Sequence, residues 1–231
     1  MSLSAIGFDA DDTLWRHAHF YQLAEERLVA LLAGYGAREG ALSALREVER
    51  RNLPLYGFGV KGFTLSMIET ALETTGGRSP TALIGEILAS GRELLRHPVE
   101  ILPHVRETLG QLAGVYRLIL ITKGDLFDQE RKLEESGLAG FFDAVEIVSQ
   151  KNAATYARVF ARHADGPERA MMVGDSLRSD VIPAIEAGAW GVHAPQPLAW
   201  AIEECPPPVG AARFKRLDRL SELGAFVAGL V

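Results

Sequence analysis

Three short apolar runs, Ala5–Phe8, Leu118–Thr122 and Ala170–Val173, each stop at small or polar residues and lead into a helical pattern. No other feature narrows the fold as far. A strand that is apolar along its whole length has both faces buried, which occurs in parallel sheets covered by helices. Phe142–Val148 and Trp190–His193 read as two further strands, and residues 214–217 as a last one. Between them, Gln129–Ser136, Ala153–His163 and Asp180–Ala187 have helical spacing, with Gly137 and Gly188 placed as terminators. The expected fold is α/β, a Rossmann-like doubly wound parallel sheet.

Residues 16–98 follow another pattern. His19–Leu32, Glu39–Arg51, Phe63–Thr75 and Pro80–Leu95 read as consecutive helices with no strand among them. An insert of about 80 residues exceeds an ordinary crossover and implies an appended all-α domain. The expected division is a core from 1–15 and 99–231 and a helical domain from 16–98.

Composition excludes several classes. A net charge of −6 with no basic stripe argues against nucleic acid. The single cysteine, Cys205, rules out an intrachain disulfide framework and suits a reducing compartment. No apolar run approaches the roughly 20 residues of a membrane helix, including Gly224–Val231, and residues 1–8 lack the pattern of a secretory leader. A soluble, cytoplasmic protein with no membrane partner is the expectation. Whether it is a monomer or a homodimer is left open.

The first run ends in FDADDTLW, with Asp9, Asp11 and Asp12 within four positions. Like charges this close need a cation or a shared proton. In extended backbone Asp9 and Asp11 share a side. A calcium loop fails on spacing, because Leu14 and Phe20 stand where its glycine and glutamate belong; an Asp-rich turn or helix cap stays open. The second run ends at Thr122, whose hydroxyl, with the backbone amides of Lys123 and Gly124, suits phosphate oxygens or else caps a helix. Lys151 follows the next apolar segment. The fourth segment, MMVGDSLRSDV, delivers Gly174, Asp175 and Asp180, with Gly174 read as permitting a tight turn.

In this order the motifs D9-x-D11-x-T13, Thr122, Lys151 and G174-D175-x4-D180 resemble those of the haloacid dehalogenase superfamily, over nearly the whole chain. The resemblance implies a Mg²⁺-dependent phosphatase acting on a small phosphorylated metabolite through an aspartyl phosphate. Asp9 would be the nucleophile. Asp11 would be general acid and base, kept protonated by crowding of like charge. Thr122 and Lys151 would complete the catalytic set, with Thr122, Lys123, Gly124 and Lys151 holding the phosphoryl group. Asp9, the backbone carbonyl of Asp11, and Asp175 would bind Mg²⁺, with Asp180 behind them.

The helical insert resembles the mobile cap placed between the first and second motifs. Its YGFGVKGF stretch, 56–63, reads either as a loop reaching the substrate or as a plain connector. Lys61 there reads as a solvated lysine or, in a phosphonate-cleaving enzyme, as a Schiff-base lysine. Two histidines at i and i+2, His17 and His19, are poorly spaced for a metal; one of them is expected to line the site's entrance. Trp15 and Phe20 are expected to pack where core and cap meet. A phosphomutase, a phosphonatase, or a non-catalytic module binding a phosphorylated ligand are the alternatives.

Overall fold

The computed structural model describes residues 3–198, 200 and 203–230. Residues 1–2 and 231 of the expected core lie outside these, as do 199, 201 and 202. In chain order the regular elements are β1 (Ala5–Phe8), α1 (Ala18–Ala33), α2 (Ala41–Tyr56), α3 (Val60–Thr74), α4 (Thr81–Arg96), α5 (Val105–Leu112), β2 (Arg117–Lys123), α6 (Leu126–Ser136), β3 (Ala144–Val148), α7 (Ala153–His163), β4 (Ala170–Gly174), α8 (Ile182–Glu186), β5 (Trp190–His193), β6 (Phe214–Arg216) and α9 (Leu223–Ala228). A π-helical turn, Leu177–Val181, joins β4 to α8.

The strands form one six-stranded sheet in the order β3-β2-β1-β4-β5-β6, and every neighbouring pair is parallel. Period-two geometry sends alternate residues to opposite faces. Ile6, Phe8, Leu118, Leu120, Met171 and Val173 therefore join Leu109, Leu133 and Leu223 in one core. Ala5, Ile119, Ile121, Ala170 and Met172 pack with Tyr156, Val159 and Phe160 in the other. Gly7 has no room for a side chain, since a Cβ there would lie 2.8 Å from Ile121.

The chain divides into two compact units: residues 3–18, 99–123 and 129–230 in one, and 19–98 with 124–128 in the other. The second unit has its own apolar core, built from Leu28, Leu32, Leu45, Phe63, Met67, Leu83 and Ile87. The segment 124–128, read from sequence as core, groups with the helices. The sequence pattern does not mark helices α5 and α9, because each is short and its apolar positions blend into flanking apolar sequence. No helix among the described residues is long and apolar enough to cross a membrane.

Candidate active site

Strand order reverses at β1 and β4, the place where open α/β sheets bind ligands at the strands' carboxyl ends. Asp9 directly follows β1, and its N–H continues the ladder by donating to the Val173 carbonyl at 2.9 Å. Beyond it the chain turns sharply. Leu14 N–H donates to the Ala10 carbonyl at 2.8 Å, and Asp12 takes a left-handed φ of 58°. The Asp12 carboxylate accepts from the backbone N–H of His17 and Ala18 at 2.9 and 2.8 Å, capping the entry to α1. The third acid of FDADDTLW is thus a turn and cap residue.

Asp9 is buried between two donors. Lys151 Nζ donates to Asp9 Oδ1 and, at 2.6 Å, to Asp180 Oδ1. Thr13 Oγ1 lies 3.3 Å from Asp9 Oδ2 and accepts from the backbone N–H of Asp175 at 3.0 Å, tying the end of β1 to the end of β4. Tyr156, from α7, donates its hydroxyl to the Ser179 carbonyl at 2.9 Å with Asp180 Oδ1 at 3.3 Å. Asp9, Asp175 and Asp180 each offer an oxygen within 4.8 Å of the others.

The electrostatics follow from this crowding. Burial pushes the Asp9 carboxyl up to about 7; the Lys151 ammonium opposes the rise, and Asp180 and Asp11 add to it. Burial, then Asp9 and Asp180, raises Asp175 well above the usual carboxylate range. Burial alone would lower Lys151, but Asp180 and Asp9 hold it above the usual lysine range. Three hard oxygen donors whose mutual repulsion is only partly relieved by one lysine suit a hard divalent cation such as Mg²⁺.

Asp11 departs from expectation. Its carboxylate takes no part in the acidic cluster and is bound by four groups. Lys132 Nζ donates to both oxygens at 2.7 and 2.9 Å, Gln129 Nε2 to one at 2.9 Å and Trp15 Nε1 to the other at 2.6 Å, with His17 Nδ1 at 3.5 Å. Burial would lift Asp11, yet His17 and Lys132 hold it well below the usual carboxylate range. The protonation expected from like-charge crowding is therefore not what this site provides. Gln129 and Lys132, three apart on one face of α6, carry no motif; only that spacing marked them.

The remaining candidates separate. Thr122, buried at the end of β2, donates weakly to the Lys123 carbonyl at 3.3 Å. Lys123 stays in the core unit, whereas Gly124 opens the segment that groups with the helices. Lys61, on α3, places its ammonium 2.9 Å from both Asp125 oxygens with its side chain 58% exposed, so nothing desolvates it as Schiff-base chemistry requires. Gly57–Gly59 is a short connector between α2 and α3. Trp15 is a core residue, and nothing in its sequence context marks its hydrogen bond to Asp11. Gly174 has no left-handed φ; its need for glycine is spatial, because a Cβ there would collide with the Asp180 carboxylate.

A profile for haloacid dehalogenase-like hydrolases matches residues 3–188. A glyceraldehyde 3-phosphate phosphatase from Methanothermobacter thermautotrophicus is 28% identical over 195 residues, 80% of this chain and 83% of the relative. An N-acylneuraminate-9-phosphatase from Mus musculus is 29% identical over 125 residues, 52% of this chain and half of the relative. The crystal structure of a haloacid dehalogenase-like family hydrolase from Xanthomonas campestris superposes with a TM-score of 0.87 at 43% identity, over 99% of this chain and 92% of that one.

Proposed function

We propose, from the premise that this chain belongs to the haloacid dehalogenase-like hydrolase family, that it is a Mg²⁺-dependent phosphatase of a small phosphorylated metabolite. The observation that carries this is the Asp9 carboxylate lying between the Lys151 ammonium and the Thr13 hydroxyl, inside a three-carboxylate cluster. That is a nucleophile with charge neutralisation already built around it. The phosphatases among the relatives support the substrate class, a small phosphate monoester.

Asp9 Oδ attacks phosphorus, the ester P–O bond breaks, and the departing oxygen takes a proton from Asp11. Asp11 then removes a proton from water, whose oxygen attacks the same phosphorus and releases Asp9 as a carboxylate. Asp11 ends this cycle protonated. As folded it is held ionised by Lys132 and His17, the form suited to the second step. The first step requires those bonds to loosen as the proton is taken up. Lys151 stays cationic throughout and balances the negative charge on Asp9 and on the phosphoryl oxygens. Thr13 ties the Asp175 backbone to the Asp9 side chain, and Thr122 closes the edge at β2. Asp9, Asp175 and the Asp11 carbonyl would hold Mg²⁺, backed by Asp180; when bound it screens the charge of the transferring group. Residues 16–98 are assigned the role of a cap that selects the substrate, and the protein a cytoplasmic location.

The test is phosphate release from a panel of sugar phosphates, phosphorylated acids and nucleotides, with and without Mg²⁺. Wild-type protein quenched during turnover should carry a base-labile acyl phosphate. Asp9→Asn should release no phosphate and retain a cooperative melt. Turnover by that variant, or the absence of metal-dependent release across the panel, refutes the reading.

A further inference from the structure

A second set of donors lies beside the catalytic cluster, and the reaction above leaves it unused. Lys123 Nζ donates to Glu203 Oε1 at 2.7 Å and to Ser179 Oγ at 2.8 Å. Ser176 Oγ donates to Glu203 Oε2 at 2.6 Å, and Ser179 Oγ donates to the same oxygen. Each donor is one residue from a site residue: Lys123 follows Thr122, Ser176 follows Asp175, and Ser179 precedes Asp180. The carboxylate comes from far along the chain, on the connection between β5 and β6. Both partners of the ion pair are shielded, with side chains 14% and 16% exposed. Three convergent donors at the carboxyl edge of the sheet form an anion receptor, and the chain fills it itself.

We propose that Glu203 is a specificity-determining residue: its carboxylate occupies the Lys123–Ser176–Ser179 receptor and excludes phosphate esters that carry a second anionic group. This rests on the phosphatase reading of the neighbouring site. A substrate carboxylate reaching Lys123 would have to displace Glu203 and leave a shielded acid unpaired, or else sit beside it as a like charge. Either event disfavours the doubly charged ligand, while esters of neutral alcohols, aldehydes and sugars escape the penalty. Rejection by a fixed like charge is the repulsive half of selectivity, and it needs no contact with the preferred substrate.

Glycerol 3-phosphate and 3-phosphoglycerate share a three-carbon frame and differ in one terminal carboxylate, so the ratio of their kcat/KM values reads this effect. Wild-type protein should prefer the neutral-ended ester. Glu203→Gln keeps an acceptor for the serines but removes the charge, and should shift the ratio toward 3-phosphoglycerate by about tenfold or more, chiefly through KM. Glu203→Ala should shift it the same way. Lys123→Gln placed on the Glu203→Gln background should cancel the gain.

Isothermal titration with the same two esters gives a second readout that needs no turnover. If wild-type protein hydrolyses neither ester nor any other member of the panel, the phosphatase reading is at fault; in either case the ratio of the two esters' dissociation constants still tests Glu203. An unchanged ratio in the Glu203 variants, or an equal loss on both esters, overturns the proposal and leaves Glu203 as a strut for the Ser176–Asp180 turn.

Discussion

A Cβ on residue 174 would lie 2.2 Å from Oδ2 of Asp180, closer than any two such atoms can approach. Gly174 ends β4, and the Asp180 carboxylate folds back over it to accept the Ser176 N–H at 3.1 Å and to meet Lys151. The π-helical turn Leu177–Val181 lets five residues return the second acid of the motif to the first. Gly174→Ala should therefore push Asp180 from Lys151 and lower kcat by ~100-fold, the scale of a misplaced supporting group. Steady-state kinetics beside a thermal melt checks this: the expected pair is lost kcat with a melt that is lowered but still cooperative, since the clash also disturbs a buried ion pair.

Lys132 and Asp11 form a shielded ion pair, with the lysine side chain 8% exposed. Removing one partner of such a pair leaves an uncompensated charge and costs about 3 kcal/mol. Lys132→Met should destabilise by that order in urea unfolding at pH 8. Pairing it with Asp11→Asn should restore part of the loss, a non-additivity that marks direct coupling.

Glu49, on α2, is 6% exposed, and its Oε2 has no hydrogen-bond partner. Burial first, then Glu25, lifts its carboxyl to about 7 against the pull of Arg46. The folded state thus favours the protonated acid. Its contribution is complete below the unfolded value of 4.5 and is lost as pH rises through about 7. Glu49→Gln should flatten this part of the stability profile and be more stable than wild type at pH 8 by ~1–3 kcal/mol. Urea midpoints at pH 4.5, 6, 7 and 8 measure it, and parallel profiles for the two proteins would refute it.

Asp9, Asp175 and Asp180 repel one another in the absence of a cation, so divalent metal should raise the melting temperature. At a free concentration 100 times its dissociation constant, Mg²⁺ should contribute about 2.7 kcal/mol. Differential scanning calorimetry after chelation and after adding Mg²⁺ should show the rise in wild type. Asp175→Asn should show none.

Much of this was legible because it depends on neighbours along the chain. Apolar runs at β1, β2 and β4 are buried on both sides of the sheet, so Ala5–Phe8 and Ala170–Val173 could be read with almost no error in their ends. Asp9, Thr122 and Asp175 followed, since a parallel sheet collects its strand ends on one edge. The protonation of Asp11 was not legible. Its identity is written at position 11, but its state is set by His17, Lys132 and Gln129, and the last two come to it from more than 100 residues along the chain.

What the sequence determined by itself was therefore a layered α/β core, a helical insert, and an ordered series of acids, hydroxyl and lysine at strand ends, because periodicity and strand polarity are local properties. Tertiary structure alone decided which carboxylate is paired with Lys151, which is clamped by Lys132, and that Glu203 returns from about 80 residues away to meet Lys123. Charge and hydrogen bonding act through space at 3 Å, and no spacing along the chain encodes that distance.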